Sequence, residues 1–123
     1  MITIYHNVTD HFDYVDFRCP CCLHLPLTDL FFRHVTKLED LRQALGFAIS
    51  VNSGYRCYKH NKEVGGAQRS WHLNFATDIR PSDNDVARLA LLLEGARHRF
   101  NGIGIGSTFV HCDLRPNKSE WTY

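Results

Sequence analysis

The chain has 123 residues, of which 44% are apolar and 22% charged, and its formal net charge is +1. That length supports one domain over residues 1–123 with a single modest core. The charge balance gives no global attraction to nucleic acid or to an anionic membrane surface, and no apolar run approaches a bilayer span. Residues Met1 to His6 lack the basic start, apolar stretch and small-residue cleavage site of a secretion signal. Synthesis in a cytosol, without the usual secretion route, is therefore expected. Five cysteines are present: Cys19, Cys21, Cys22, Cys57 and Cys112. An odd number with no signal argues against a disulfide framework. Cys19-Pro20-Cys21-Cys22 has no second CxxC or histidine pair to complete a zinc site, so these residues read as free thiols beneath a turn. A metal or redox site there is the alternative.

In chain order, residues 2–5 alternate weakly and predict a short edge strand. Residues 7–25 are irregular, with Phe12, Tyr14 and Phe17 spaced to pack over a core. Leu27, Leu30, Phe31, Val35, Leu38, Leu41 and Leu45 recur at three- and four-residue steps, which predicts a helix over 28–45. Thr28 or Asp29 can cap its start, and Gly46 can end it in a left-handed conformation. Its polar residues, His34 and Glu39 included, read as a solvated face.

Residues 47–52 alternate as a strand, which Ser53-Gly54 breaks. Tyr58 to Val64 suggests a helical turn, and Gly65-Gly66 a tight turn or hinge. Pro81 ends the strand that carries Asp78 and Ile79. Ser82 with Asp85 reads as a capping-box variant before a second helix carried by Val86, Leu89, Ala90, Leu93 and Ala96. Residues 103–106 and 109–114 read as a hairpin of two short strands. The tail from Pro116 is polar, with Trp121 near its end. The order is that of an α+β domain: a small, mainly antiparallel sheet packed against two main helices.

The chemistry concentrates in two stretches. Ser70-Trp71-His72-Leu73-Asn74-Phe75-Ala76-Thr77-Asp78 runs from a loop into a strand, and Phe109-Val110-His111-Cys112-Asp113 lies on the last predicted strand. His111 and Asp113 are two apart and share a face, whereas Cys112 turns into the core. If the two strands are neighbours, His72, Asp78 and His111 converge. Two imidazoles and one carboxylate are a common ligand set for a catalytic zinc, which keeps one position open for water.

Ser53-Gly54-Tyr55-Arg56, His60-Asn61, Val64-Gly65-Gly66-Ala67, Ser70-x-His72, Ala76-Thr77-Asp78-Ile79-Arg80 and Thr108-Phe109-Val110-His111-Cys112-Asp113 with Arg115-Pro116 together closely resemble one family. It is the zinc D-alanyl-D-alanine carboxypeptidase-like family of peptidoglycan peptidases. That family includes phage L-alanyl-D-glutamate endolysins and shares its fold with the hedgehog signalling domain. The resemblance runs from about Phe12 to Trp121. It implies a hedgehog/DD-peptidase-like fold, one Zn2+ ion held by His72, Asp78 and His111, and hydrolysis of an amide bond in peptidoglycan stem peptides. It further implies that Arg56 holds the substrate, and that Ser70 is a hydroxyl beside the ligands or on the substrate side. Tyr55, Trp71 and Trp121 could wall the groove, although core packing explains them equally well. A monomer is expected, and a phage or prophage protein acting on the cell wall fits the short chain.

Two departures from the family pattern, Ser-x-His-x-x-Gly-x-Ala-x-Asp with a distant histidine, stand out. Five residues, Leu73 to Thr77, separate His72 from Asp78 where the family has six, and Asn74-Phe75 replaces its glycine. A deletion on a strand would turn Asp78 to the opposite face, so the Leu73–Phe75 loop has to absorb it. Many relatives also carry an acid three residues before the last histidine as general base, and Thr108 stands there. Asp113 is the nearest replacement. It is either that catalytic base or a hydrogen-bond partner of a ligand histidine. The rival reading is a zinc-stabilised binding or structural module that keeps the fold without the chemistry.

Overall fold

The computed structural model describes residues 7–123. The edge strand expected at residues 2–5 lies outside them. Three helices, α1 (Asp29–Leu45), α2 (Tyr58–Glu63) and α3 (Val86–Arg97), accompany five strands: β1 (Ile49–Ser53), β2 (Ala76–Pro81), β3 (Gly102–Ile105), β4 (Val110–Asp113) and β5 (Ser119–Thr122). The strands form one sheet in the order β1-β2-β4-β3-β5. Its pairings are antiparallel except for β3 with β5, which run parallel. The sheet is thus mixed, and β5 is a strand where only a polar tail was expected. Among the described residues, no helix is long and apolar enough to cross a membrane.

Helix α1 begins where Thr28 Oγ1 accepts the Phe31 N–H, and it ends at Gly46 in the left-handed region at φ 76°. Its apolar face buries Phe31, Val35, Leu38 and Leu41 completely. His34 and Glu39, expected on the solvated face, are buried too. The His34 ring lies between Phe75 and Phe100, and its Nε2 meets Thr77 Oγ1 at 2.9 Å. Burial pushes the His34 pKa down to about 3, so the ring is neutral. Glu39 accepts from the backbone N–H of His11 at 2.8 Å and stands 2.6 Å from its ring Nδ1. A polar residue on an apolar helix face is kept there by such a partner.

Strand β1 starts at Ile49 rather than Phe47, since its pairing with β2 begins at Ile49–Pro81, and Phe47 is buried beneath the Arg88 guanidinium, 5.1 Å from its ring centre. Helix α3 is capped by Asp85, whose Oδ1 accepts the Arg88 N–H at 2.8 Å. Ser82 is not the cap; its hydroxyl pairs with that of Ser50 at 2.7 Å.

The strand period of two divides each central strand between two faces. Thr77 and Ile79 of β2, Val110 and Cys112 of β4 and Ile103 of β3 are buried. All but Thr77 belong to the core cluster that holds Phe31, Val35, Leu38 and Leu92 of the two long helices, and Thr77 reaches the same layer through His34. Cys112 therefore faces the core, as its place between His111 and Asp113 predicts. The opposite face carries one row of register partners, Asp78–His111–Gly104–Trp121, across β2, β4, β3 and β5. The row beside it is Ala76–Asp113–Gly102–Ser119. Two glycines make room for these side chains. A Cβ on Gly104 would stand 2.8 Å from Trp121 Nε1 and 2.9 Å from His111 Cβ. A Cβ on Gly102 would run into the Asp113 carboxylate.

Candidate metal centre

The shortened spacing between His72 and Asp78 is taken up before the strand. Ser70 Oγ accepts the His72 N–H at 3.2 Å and starts a 3-10 turn, Trp71–Leu73. Asn74 follows at φ −96°, ψ −77°, and pairing with β4 begins at Ala76. Asp78 is consequently directly opposite His111 on the same sheet face. His72 Nε2 lies 3.3 Å from Asp78 Oδ1, and His111 Nδ1 lies 3.1 Å from the same oxygen. One ligand atom from each of the three residues falls within 4.8 Å of the others.

Hydrogen bonds on the far side of each ring fix the protons. His72 Nδ1 stands 2.7 Å from the Gly54 carbonyl oxygen, and His111 Nε2 stands 2.7 Å from Asp113 Oδ2. Both partners only accept, so in the neutral rings these nitrogens carry the hydrogens. The other nitrogens then face Asp78 as lone pairs. A carboxylate and two imidazole lone pairs converge with no hydrogen between them, which is the donor set a cation completes. Without a cation, rings protonated at those nitrogens would hydrogen-bond Asp78 and, against the effect of burial, hold its carboxyl well below the usual range.

Asp113 is fully buried. Its Oδ2 meets His111 Nε2 and accepts from Arg115 Nη2 at 2.6 Å, while Oδ1 accepts from the Arg115 backbone N–H at 3.0 Å and Nε at 2.8 Å. Burial opposes ionisation, but Arg115 and His111 keep the carboxyl far below its ordinary pKa. The Arg115 guanidinium in turn lies 4.7 Å from the Trp121 ring centre and 5.7 Å from that of Trp71.

The three candidate ligands lie in a groove of about 550 Å3, whose lining also includes Arg56, Arg69, Ser70, Trp71, Trp121 and Tyr123. Arg56 reaches in from the rim. Its Nε donates to Ser53 Oγ at 3.3 Å, Nη1 donates to Asn61 Oδ1 at 3.2 Å, and Nη2 stands 3.6 Å from Asp78 Oδ2. Of the expected substrate-side residues, Arg56, Ser70 and Trp71 line the groove. Tyr55 and Asp113 are not among the lining residues. The Tyr55 ring instead stands edge-on to His24, with centroids 5.9 Å apart.

The peptidase M15 family profile matches residues 15–113. The chain belongs to the peptidase M15 family. No curated protein matches it. Membership in the M15 peptidases supports a hydrolase and, with the His72–Asp78–His111 cluster, a zinc metallopeptidase. Sequence reasoning assigns no separate role to Asn61, Arg115 or the Gly54 carbonyl, each of which holds a residue of this centre. Asn61 and Arg115 each sit within a stretch that resembles the family, five residues after Arg56 and two after Asp113. A backbone carbonyl leaves no mark in the sequence.

Proposed function

We propose that this M15 peptidase is a zinc enzyme that hydrolyses an amide bond in peptidoglycan stem peptides. The bond is of the D-alanyl-D-alanine carboxypeptidase or the L-alanyl-D-glutamate endopeptidase type. The observation that carries the reading is the convergence of His72 Nε2, His111 Nδ1 and Asp78 Oδ1 with both ring hydrogens directed elsewhere. Zinc held there would supply a Lewis acid and lower the pKa of bound water towards about 7. Arg56 offers a planar fork, fixed by Ser53 and Asn61, to a terminal carboxylate or to the oxygen of the scissile carbonyl. Arg56, Arg69 and Arg115 all line the groove, which suits the acid-rich stem peptide. Ser70 sets His72 through its backbone, and Trp71 walls the groove.

In this reading Asp113 is a positioning residue rather than the general base. All the hydrogen bonds of its carboxylate go to His111 and Arg115, and burial closes it to solvent.

One observation favours the rival module without chemistry. Among the described residues, Asp78 is the only side-chain carboxylate lining the groove, and it belongs to the ligand set. The two readings separate on incubation with purified peptidoglycan and mass spectrometry of the released peptides. The enzyme releases peptides, loses that activity with chelator and regains it with zinc. Zinc-loaded protein that binds peptidoglycan and releases nothing would establish the module instead.

A further inference from the structure

A second cluster of metal-ligating side chains lies outside the groove. Cys19, Cys22 and Cys57 bring their sulfurs within 4.8 Å of one another, although Cys57 is far away in sequence. The Cys19–Cys57 separation is 3.6 Å. In a tetrahedral site with zinc–sulfur bonds of about 2.3 Å, neighbouring sulfurs stand about 3.8 Å apart. A disulfide would need about 2.05 Å, and all the cysteines are free thiols.

The backbone around the cluster is shaped for it. Residues 19–24 fold into a tight turn in which the Leu23 N–H donates to the Cys19 carbonyl at 2.7 Å and the Cys19 N–H to that of His24 at 2.9 Å. Leu23 closes the turn at φ 62°, a left-handed conformation that a branched side chain rarely adopts. That turn aims Cys19 and Cys22 at one point. From the other side, Cys57 caps α2, its Sγ accepting the His60 N–H at 3.4 Å.

We propose that Cys19, Cys22 and Cys57 hold a second zinc ion whose role is structural, and that Cys21, exposed beside them and outside the 4.8 Å cluster, turns in as the fourth ligand. Four sulfurs close the coordination shell and leave no position for water, in contrast to the histidine–aspartate centre. The ion staples the 19–24 turn to the segment that forms the rim of the groove. Phe17 and Gly54 are already in close backbone contact there, and the Tyr55 N–H donates to the Phe17 carbonyl at 2.8 Å. Gly54 orients His72, and Arg56 immediately precedes Cys57. The staple therefore holds two residues that serve the first centre. The spacing hid the site: residues 19–22 supply three thiols, and only the fold brings in the fourth.

The test is zinc analysis and zinc-edge X-ray absorption on the full chain, purified under reducing conditions and equilibrated with zinc. Two zinc ions per chain are expected, with a mixed shell of sulfur at about 2.3 Å and nitrogen or oxygen at about 2.0–2.1 Å. The His72→Ala/His111→Ala variant should keep one ion in an all-sulfur shell. Cys57→Ser should lose one ion and gain thiols reactive to alkylation. If the Cys57→Ser chain does not fold, the wild-type absorption spectrum still decides. No sulfur around zinc in the wild-type chain, or a Cys19–Cys57 disulfide in its mass spectrum, would overturn the proposal. Because the sulfur shell is read directly, failure of this site is distinguishable from failure of the histidine–aspartate centre.

Discussion

His111 donates from Nε2 to Asp113 Oδ2 across 2.7 Å, which leaves Nδ1 facing Asp78 Oδ1 at 3.1 Å. The bond to Asp113 thereby selects the tautomer that can ligate. Removing such a partner typically costs about 10–100-fold in metal affinity. Asp113→Asn should show that loss in zinc competition titrations. At saturating zinc its turnover should return to within a few-fold of wild type. An inactive variant with zinc fully bound would make Asp113 the catalytic base instead.

Arg56 is held at Nε by Ser53 and at Nη1 by Asn61, with Nη2 on the groove side near Asp78. Lysine keeps the charge but loses the fork. Arg56→Lys should lower kcat/KM about 10–100-fold, or about 1.4–2.7 kcal/mol of transition-state binding. Zinc content should be unchanged. Wild-type kcat/KM in this variant would remove Arg56 from substrate binding.

Gly104 lies between His111 and Trp121 in the row of register partners. An added methyl group forces these neighbours apart, and overpacking of this kind costs about 1–3 kcal/mol. Gly104→Ala should unfold at lower denaturant concentration and bind zinc more weakly, since His111 has to move. A variant equal to wild type in both measurements would show that the packing across this row is loose.

Glu39 gives the clearest pH dependence in the core. Burial raises its pKa, but hydrogen bonds from His11 and Gln43 outweigh that and bring it from 4.5 to about 2. A carboxylate depressed in the folded state stabilises fully above its unfolded pKa and loses that contribution as pH falls through the folded value. The window is therefore from about pH 4.5 down to about pH 2. Glu39→Gln should cost on the order of 2 kcal/mol at pH 7, with the partly exposed His11 limiting the effect. The difference from wild type should shrink between pH 5 and pH 3 in urea unfolding. A difference that stays constant over that range would assign the effect to packing.

Much of this arrangement was legible in the residues. The period of α1, the Gly46 stop, the inward turn of Cys112 and the shared face of His111 and Asp113 all follow from local geometry. His34 was legible as well, since it lies three residues after Phe31 and one before Val35, inside the apolar arc. What hides it is that a histidine looks polar until Thr77 is known to meet it. The start of α3 was misread because Ser82 and Asp85 both suit a cap, and only the contact with Ser50 draws Ser82 away. Strand β5 has little apolar signal, because it is an edge strand whose pairing with β3 rests on backbone bonds. Tyr55 beside Arg56 looks like a groove residue, yet adjacent side chains on an extended segment point to opposite sides. Contacts between distant segments, such as Gly54 with His72 or Cys57 with Cys19, cannot be read from spacing at all.

Of the three residues proposed to hold zinc, His72, Asp78 and His111, Asp78 touches both rings. Zinc content per folded chain, measured side by side for wild type and Asp78→Ala after dialysis against trace chelator, tests that ligand set most directly. Asp78→Ala should bind one ion fewer than wild type and release no peptide from peptidoglycan. A folded Asp78→Ala chain with the full wild-type zinc content would contradict that ligand set.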